Sequence, residues 1–387
     1  MSQTSSPWAT AAARPVLTYD GRLLELFGIF LLNLLLTIVT FGIFRFWAIT
    51  RIRRYLWSHM RFEGSRLSYT GRGGELFLGF LMAIAILILF IAVIGLMTLG
   101  LAQFDPGLAV IPGVLTYVGL FVLFGAARYS AQRYRLSRTE WRGIRGGMTG
   151  SAWRYGFLCL LYIVSLVMTL YQSLPWMQVG LARQRINASR FGSAAFRCGG
   201  RAGPLYPSWL LATLGNLVLL GLIFAAVAAA AGWPNLEAIM QGGTSGPDAQ
   251  IAIRRMIPAG ILGILVFGVI SSLLVTWYWV RLIRMITGRT VMTVPAAAGS
   301  IEPPPGELRF RSTITGGGLI WLIVSNGLLV AVTLGLGLPI VLHRSARFLA
   351  RTTWMTGTFN ADALAQSELA RPRTGEGLLQ AFDPGIV

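Results

Sequence analysis

Uncharged runs at 26–44, 76–104, 106–127, 155–182, 202–236, 256–280 and 312–343 constrain this chain more than any other feature. A helix needs about 20 residues to cross the hydrocarbon core of a bilayer, and each run meets or nearly meets that length. Of the 387 residues, 55% are apolar and only 12% charged, too few to cover the surface of a soluble fold of this size. The expected fold class is an all-α polytopic membrane protein with about seven hydrophobic helical stretches.

The charge is one-sided in type and in place. All 33 residues counted as Lys or Arg are arginine, against 14 acids, giving a net charge of +19. Apart from Arg14, Arg22 and Arg45, they lie in segments 48–72, 128–154, 178–205, 281–318 and 342–373 and at Arg254 and Arg255. The connector around Asp105 has none. This is positive-inside patterning, which places the arginine-rich segments in the cytoplasm, where anionic headgroups attract them. Membrane lipids with anionic headgroups are therefore the expected partners, with Arg51, Arg54, Arg344 and Arg347 as candidate headgroup-binding residues. Nucleic acid is not expected, because no polar region is long enough to form a basic domain of useful size. Cys159 and Cys198 are isolated, without a CxxC, and offer neither a metal site nor a convincing disulfide. Residues Met1 to Asp20 hold one arginine and no compact apolar core, so no cleaved signal peptide is expected.

The chain also resembles itself. Short polar or β-prone pieces ending in Gly21, Gly71, Gly150, Gly199 and Gly316 open most of the hydrophobic stretches. The first two continue alike, into Glu25-Leu26-Phe27 and Glu75-Leu76-Phe77, each Glu in a first helical turn where the dipole favours an anion. A single offset of 293 carries Asn33, Thr40, Gly42, Arg51 and Arg54 onto Asn326, Thr333, Gly335, Arg344 and Arg347. An offset of 79 carries Phe62-x-Gly64-x-Arg66 onto Trp141-x-Gly143-x-Arg145. Both sets together read as an irregular five-unit internal repeat filling a membrane domain at 21–360, between a polar N-terminal segment at 1–20 and a flexible polar tail at 361–387. Units one, three and five hold one hydrophobic stretch, and units two and four hold two.

Between the stretches the period changes. Residues 43–60 read as an amphipathic interfacial helix of the Arg-rich kind. Arg61 to Tyr69 reads as two short strands around a Gly turn. Comparable pieces occur at 139–148 and, more loosely, at 188–198, 289–294, 308–315 and 353–359. These are expected as short β-hairpins at the cytoplasmic face, which could gather into one small sheet.

Seven simple spans conflict with the arginines. With 48–72 inside, alternation puts 178–205 and 281–318 outside, each with five arginines. If units one, three and five enter and leave from the same side, the conflict disappears. Breaks would then fall near Thr40-Phe41-Gly42 and Thr333-Leu334-Gly335. The plainer alternative is that Thr40 and Gly42 mark the end of a full span.

Little is left to carry chemistry. His59 and His343 are far apart in sequence, no hydrolase, metalloprotease or nucleotide-binding motif occurs, and no carboxylate sits in the middle of a stretch. No cofactor, metal or catalytic residue is expected. The candidate polar or hinge positions are Asn33, Thr40, Gly42, Asn216, Asn326, Thr333 and Gly335, the asparagines because an amide in hydrocarbon must find a partner.

The run Leu35 to Trp47, continued by Arg51-x-Arg53-Arg54-Tyr55 and by Phe62-x-Gly64-x-Arg66-Leu67-x-Tyr69-x-Gly71, resembles the YjgN-like inner-membrane family of bacteria, a family of unknown function. The resemblance covers roughly residues 15–360, although the family usually has Pro where this chain has Phe46. It implies the bacterial inner membrane and brings no catalytic residues. The leading expectation is a transporter or channel-like protein for a small solute. The alternative is a non-catalytic scaffold or lipid- and protein-interaction module that uses its arginine-rich segments.

Overall fold

The computed structural model describes residues 13–232, 237, 246–294, 306–357, 364–366 and 369. It forms two compact units: Met1–Gly200 with Met285–Thr313 and Asn326–Val387, and Arg201–Arg284 with Ile314–Ser325.

The first unit is organised by a sheet, which corrects the all-α expectation. Its strands are β1 (Arg14–Pro15), β2 (Thr18–Tyr19), β3 (Met60–Phe62), β4 (Ser65–Tyr69), β5 (Thr139–Trp141), β6 (Ile144–Met148), β7 (Ser189–Phe191), β8 (Ala194–Cys198), β9 (Thr290–Thr293), β10 (Glu307–Ser312) and β11 (Thr353–Thr356). They form one 11-stranded sheet in the order β1-β11-β10-β9-β8-β7-β6-β5-β4-β3-β2. All its ladders are antiparallel. The two end strands are joined through Val16 and Leu17 alone, and Val16 N donates to Thr353 O at 3.0 Å, so the sheet curls into a near-closed barrel. The hairpins are therefore not separate short pieces, nor a small sheet. Residues 14–19, expected as part of a polar leading segment, supply the strands that bring the edges together.

Alternation fills the barrel. Phe62, Leu67, Trp141, Ala194, Met292, Leu308 and Met355 belong to one hydrophobic core, while arginines such as Arg61, Arg66 and Arg197 occupy alternate positions. Trp141 is fully buried and donates from Nε1 to Phe62 O at 2.8 Å. The turns of β3–β4 and β5–β6 place Glu63-Gly64 and Arg142-Gly143 at positive φ, the I′ conformation whose twist suits a two-residue hairpin. Leu364 packs into the same core, and Gln366 accepts from Arg145 N at 3.0 Å and donates to Gly143 O at 2.8 Å. The C-terminal segment from 361, apart from 364–366 and 369, lies outside the described residues.

Helical excursions separate neighbouring strands. They are α1 (Leu23–Val39) and α2 (Arg45–Ser58), α3 (Gly73–Phe104) and α4 (Val110–Ser137), α5 (Ala152–Met168) and α6 (Leu174–Ala188), α7 (Tyr206–Ala231) and α8 (Pro247–Gly288), and α9 (Gly316–Val332) and α10 (Leu338–Thr352). Each pair leaves one strand and returns to its hydrogen-bonded neighbour: β2 to β3, β4 to β5, β6 to β7, β8 to β9 and β10 to β11.

Among the described residues, four helical segments are long and apolar enough to cross a membrane, not seven: Gly73–Phe104, Pro106–Ser137, Gly203–Ala231 and Gln250–Gly288. Their most apolar windows are only 6–11% buried by the protein, so their surfaces need a hydrocarbon solvent. The stretches α1, α5 and α9 have 17 residues each, about 26 Å of helix against a core of about 30 Å.

Each of these three ends in the same tight turn. Thr40, Thr169 and Thr333 donate from Oγ1 to the carbonyl four residues back, and accept from the amide four residues on, at 2.6–3.0 Å. Gly42, Tyr171 and Gly335 then donate their amides to Thr37, Leu166 and Val330 at 2.7–2.9 Å. The pairs Phe41-Gly42, Leu170-Tyr171 and Leu334-Gly335 all hold positive φ, where a side chain is strained and glycine is not. The next helix starts at once, with Pro175 and Pro339 in the first turns of α6 and α10 and buried Phe46 in that of α2.

The second unit is built on the α7–α8 hairpin. A Cβ on Gly263 would fall 2.5 Å from Ile223, and Trp209 meets Tyr278 at 5.2 Å between ring centres, so small and aromatic residues set the helix approach.

Candidate functional site: an arginine cleft at the helix roots

The roots of the helices, where they join the sheet, hold the polar chemistry of the first unit. Glu75, in the first turn of α3, accepts from Tyr134 Oη at 2.6 Å and pairs with Arg138 at 2.9 Å, the one on the returning α4 and the other capping its end. Glu25, in the first turn of α1, accepts from Tyr55 Oη at 3.3 Å and lies 3.8 Å from His59 Nε2, both at the end of the returning α2. The same acid–phenol–base clasp thus closes two hairpins. Arg53 is 1% exposed and donates to Tyr69 Oη at 3.3 Å, which brings a further guanidinium into the same layer.

In front of the Glu75 clasp lies a cleft of about 540 Å³ between α2 and the start of α3. Arg51, Arg54 and Arg72 line it, with Trp47, Thr50, Gly73, Gly74 and Glu75 itself. Arg51 donates to Asn33 Oδ1 at 3.4 Å and lies over the Phe44 ring, 5.4 Å from its centre. Arg54 donates to Gly71 O at 2.8 Å, which holds it against the loop leading into α3. Arg72 is exposed and makes no ion pair among the described residues. No side chain caps the first turn of α3. Gly73 allows the approach of α2, since a Cβ there would lie 2.6 Å from the Trp47 indole. The carboxylate of Glu75 is held by Tyr134 and Arg138, so the cleft carries a positive surplus matched to a phosphate-like anion.

The sequence-derived candidates divide. Arg51 and Arg54 meet in this cleft. Arg344 and Arg347 lie elsewhere, on α10, where Arg347 is near enough to bias Tyr19 and His343. Burial raises the Tyr19 phenol to about 12, while burial and then Arg347 lower His343; Tyr19 Oη lies 3.2 Å from His343 Nδ1. Asn33 is buried between α1 and α2, with a long 3.5 Å contact to Ala48 O, and Asn326 reaches Ser345 Oγ at 3.5 Å between α9 and α10. Asn216 turns back on Ala212 O of its own helix at 2.8 Å. Thr40, Gly42, Thr333 and Gly335 form two of the tight turns described above. Arg72, Gly73 and the turn at Thr169 were not singled out from sequence. Extending the self-comparison by an offset of 129, which carries Thr40 and Trp47 onto Thr169 and Trp176, would have found that turn.

Long lipid-requiring helices rooted in an arginine-faced sheet define an integral membrane protein. The chain belongs to the family described as "Bacterial protein of unknown function (DUF898)", whose model matches residues 14–381. It is 23% identical over 385 residues to the inner membrane protein YjgN of Salmonella typhimurium, covering 91% of each chain. A 144-residue stretch is 32% identical to YjgN of Escherichia coli O157:H7, covering 36% of this chain and 33% of that protein. Another of 51 residues is 45% identical to YjgN of Escherichia coli K12, 13% of each. No solved structure matches.

Proposed function

We propose that the protein is a non-catalytic module of the bacterial inner membrane that binds anionic lipid headgroups from the cytoplasmic side. The observation that carries this reading is the α2–α3 cleft, where Arg51, Arg54 and Arg72 face one space without an unpaired carboxylate. The sheet then lies on the cytoplasmic face. Most arginines of 48–72, 128–154, 178–205, 281–318 and 342–357 lie on strands, turns and the sheet-proximal halves of helices, so one sidedness serves them. Arg45, at the start of α2, and Arg254 and Arg255, near the start of α8, are the exceptions. The reading of five related units is supported by the shared threonine turns and the two acid–phenol–base clasps. The transporter reading has less to stand on. The barrel is filled by its own side chains, and Asn33, Asn216 and Asn326 each bond within their own helix or hairpin.

The test is thermal unfolding of the detergent-purified protein with added phosphatidylglycerol or phosphatidylcholine. Phosphatidylglycerol is expected to raise Tm selectively, and the triple variant R51Q/R54Q/R72Q to lose that selectivity. Equal stabilisation by both lipids in the unmodified protein would sink the proposal.

A further inference from the structure

A second space lies between the roots of α5 and α6, with a volume of about 640 Å³. It shares no residue with the α2–α3 cleft. Its polar side chains collect at the sheet end: Ser151 and Arg154 at the start of α5, Gln184 and Asn187 near the end of α6. Moving away from the sheet, Phe157, Leu158 and Leu161 form an apolar wall. Arg154, Phe157, Leu158 and Leu161 follow the i, i+3, i+4, i+7 spacing of one helix face. The floor is firm: Tyr129 and Tyr155 are 4% and 5% exposed, and the Tyr129 hydroxyl is committed to Thr149 O.

Charge and polarity narrow the occupant. No carboxylate lines the groove, and Arg154 is exposed without an ion pair among the described residues. A small free anion would use the sheet end and leave the apolar wall wet. A neutral hydrocarbon would leave Arg154 and Gln184 unmatched, Asn187 Oδ1 already accepting from Cys198 N at 2.7 Å. An anionic amphiphile uses both, in the order in which the groove presents them. We propose that this groove holds one anionic phospholipid, its phosphate on Arg154 beside Gln184 and Asn187, and one acyl chain along Phe157, Leu158 and Leu161.

The experiment places the full chain in phosphatidylcholine nanodiscs doped with phosphatidylglycerol that carries a photoreactive diazirine in its acyl chain. Labelled peptides are then mapped by mass spectrometry. Label should concentrate on Phe157–Leu161. Arg154→Gln should lower it about tenfold, the loss expected of one charge-assisted hydrogen bond. Leu158→Trp should lower it too, by filling the groove. The R51Q/R54Q variant should leave it unchanged, which separates this site from the α2–α3 cleft. Arg154 is exposed, so its variant tests the site even if Leu158→Trp fails to fold. Label spread evenly on to Val164, Val167 and Met168, or unaltered in Arg154→Gln, would mean unspecific surrounding lipid and overturn the proposal. Displacement of the label by inorganic phosphate would mean an anion site without a chain subsite and would overturn it equally.

Discussion

At the scale of single residues, the first unit buries polar groups whose partners are supplied by the fold in place of water. Arg138 has a side chain just 10% exposed and faces Glu75 at 2.9 Å. Removing one partner strands the other, which costs about 3–5 kcal/mol, whereas removing both costs much less. Arg138→Met should therefore lower Tm sharply in detergent, and the double variant with Glu75→Gln should recover part of the loss. A double variant no better than the single one would mean that the pair is not coupled. His343 offers a second test. Burial and Arg347 hold it below its ordinary value of 6.5, so the unfolded chain binds its proton more readily. Stability is then full above pH 6.5 and falls as acid carries the pH down through the lowered folded value. Thermal unfolding followed from neutral to about pH 5 should show a decline that His343→Asn flattens; parallel profiles would count against it.

At the scale of elements, the three tight turns make a graded series. Gly42 and Gly335 occupy the positive-φ position at no steric cost, while Tyr171 occupies it with a φ of +69° and a side chain 60% exposed. Gly335→Val should cost about 1–2 kcal/mol, and Tyr171→Gly should gain up to about 1 kcal/mol because few contacts are lost. Chemical denaturation of both variants checks the pair, and a stabilising valine would refute the argument. These turns also show what could be read in the sequence. Thr40-Phe41-Gly42 and Thr333-Leu334-Gly335 stood out because glycine marks the special backbone. Thr169-Leu170-Tyr171 adopts the same backbone without a glycine and was silent. The hairpins around Gly64 and Gly143 were legible for the same reason, and so was a small sheet made from them, but its eleven strands and near closure were not. Strands of two to six residues carry too little alternation to announce a sheet, and its ladders join residues as distant as Arg14 and Met355. In the cleft, Arg51 and Arg54 were visible as helical neighbours. Arg72 reaches them only through the turn of β4 into α3, a fact of tertiary structure.

At the scale of the whole molecule, the connectivity permits an arrangement that removes the conflict between span number and arginine placement. Neighbouring strands are antiparallel, and every second connection is a helical excursion, so within the sheet every excursion begins and ends at one rim. A chain built this way can keep the arginines of its sheet and helix roots on one side of a membrane, whichever of its helices cross, provided each helical pair returns. If each short helix turns back at its threonine, the four long and three short apolar helices among the described residues give no alternation error. Single cysteines at Glu63, Arg142 and Ser193, in the β-turns, should react with an impermeant maleimide only when it reaches the cytoplasmic face. A cysteine at Leu108, in the 3₁₀ turn between α3 and α4, should react only from the opposite face. Cys159 and Cys198 are buried, so background labelling should be low. Leu108 labelled from the same side as Arg142 would mean that α3 and α4 do not cross, and opposite labelling of Glu63 and Ser193 would break the one-sided sheet. Either result would remove the basis for placing the arginine cleft against cytoplasmic headgroups, since a cleft on the other face would meet a leaflet without the same attraction for its charge.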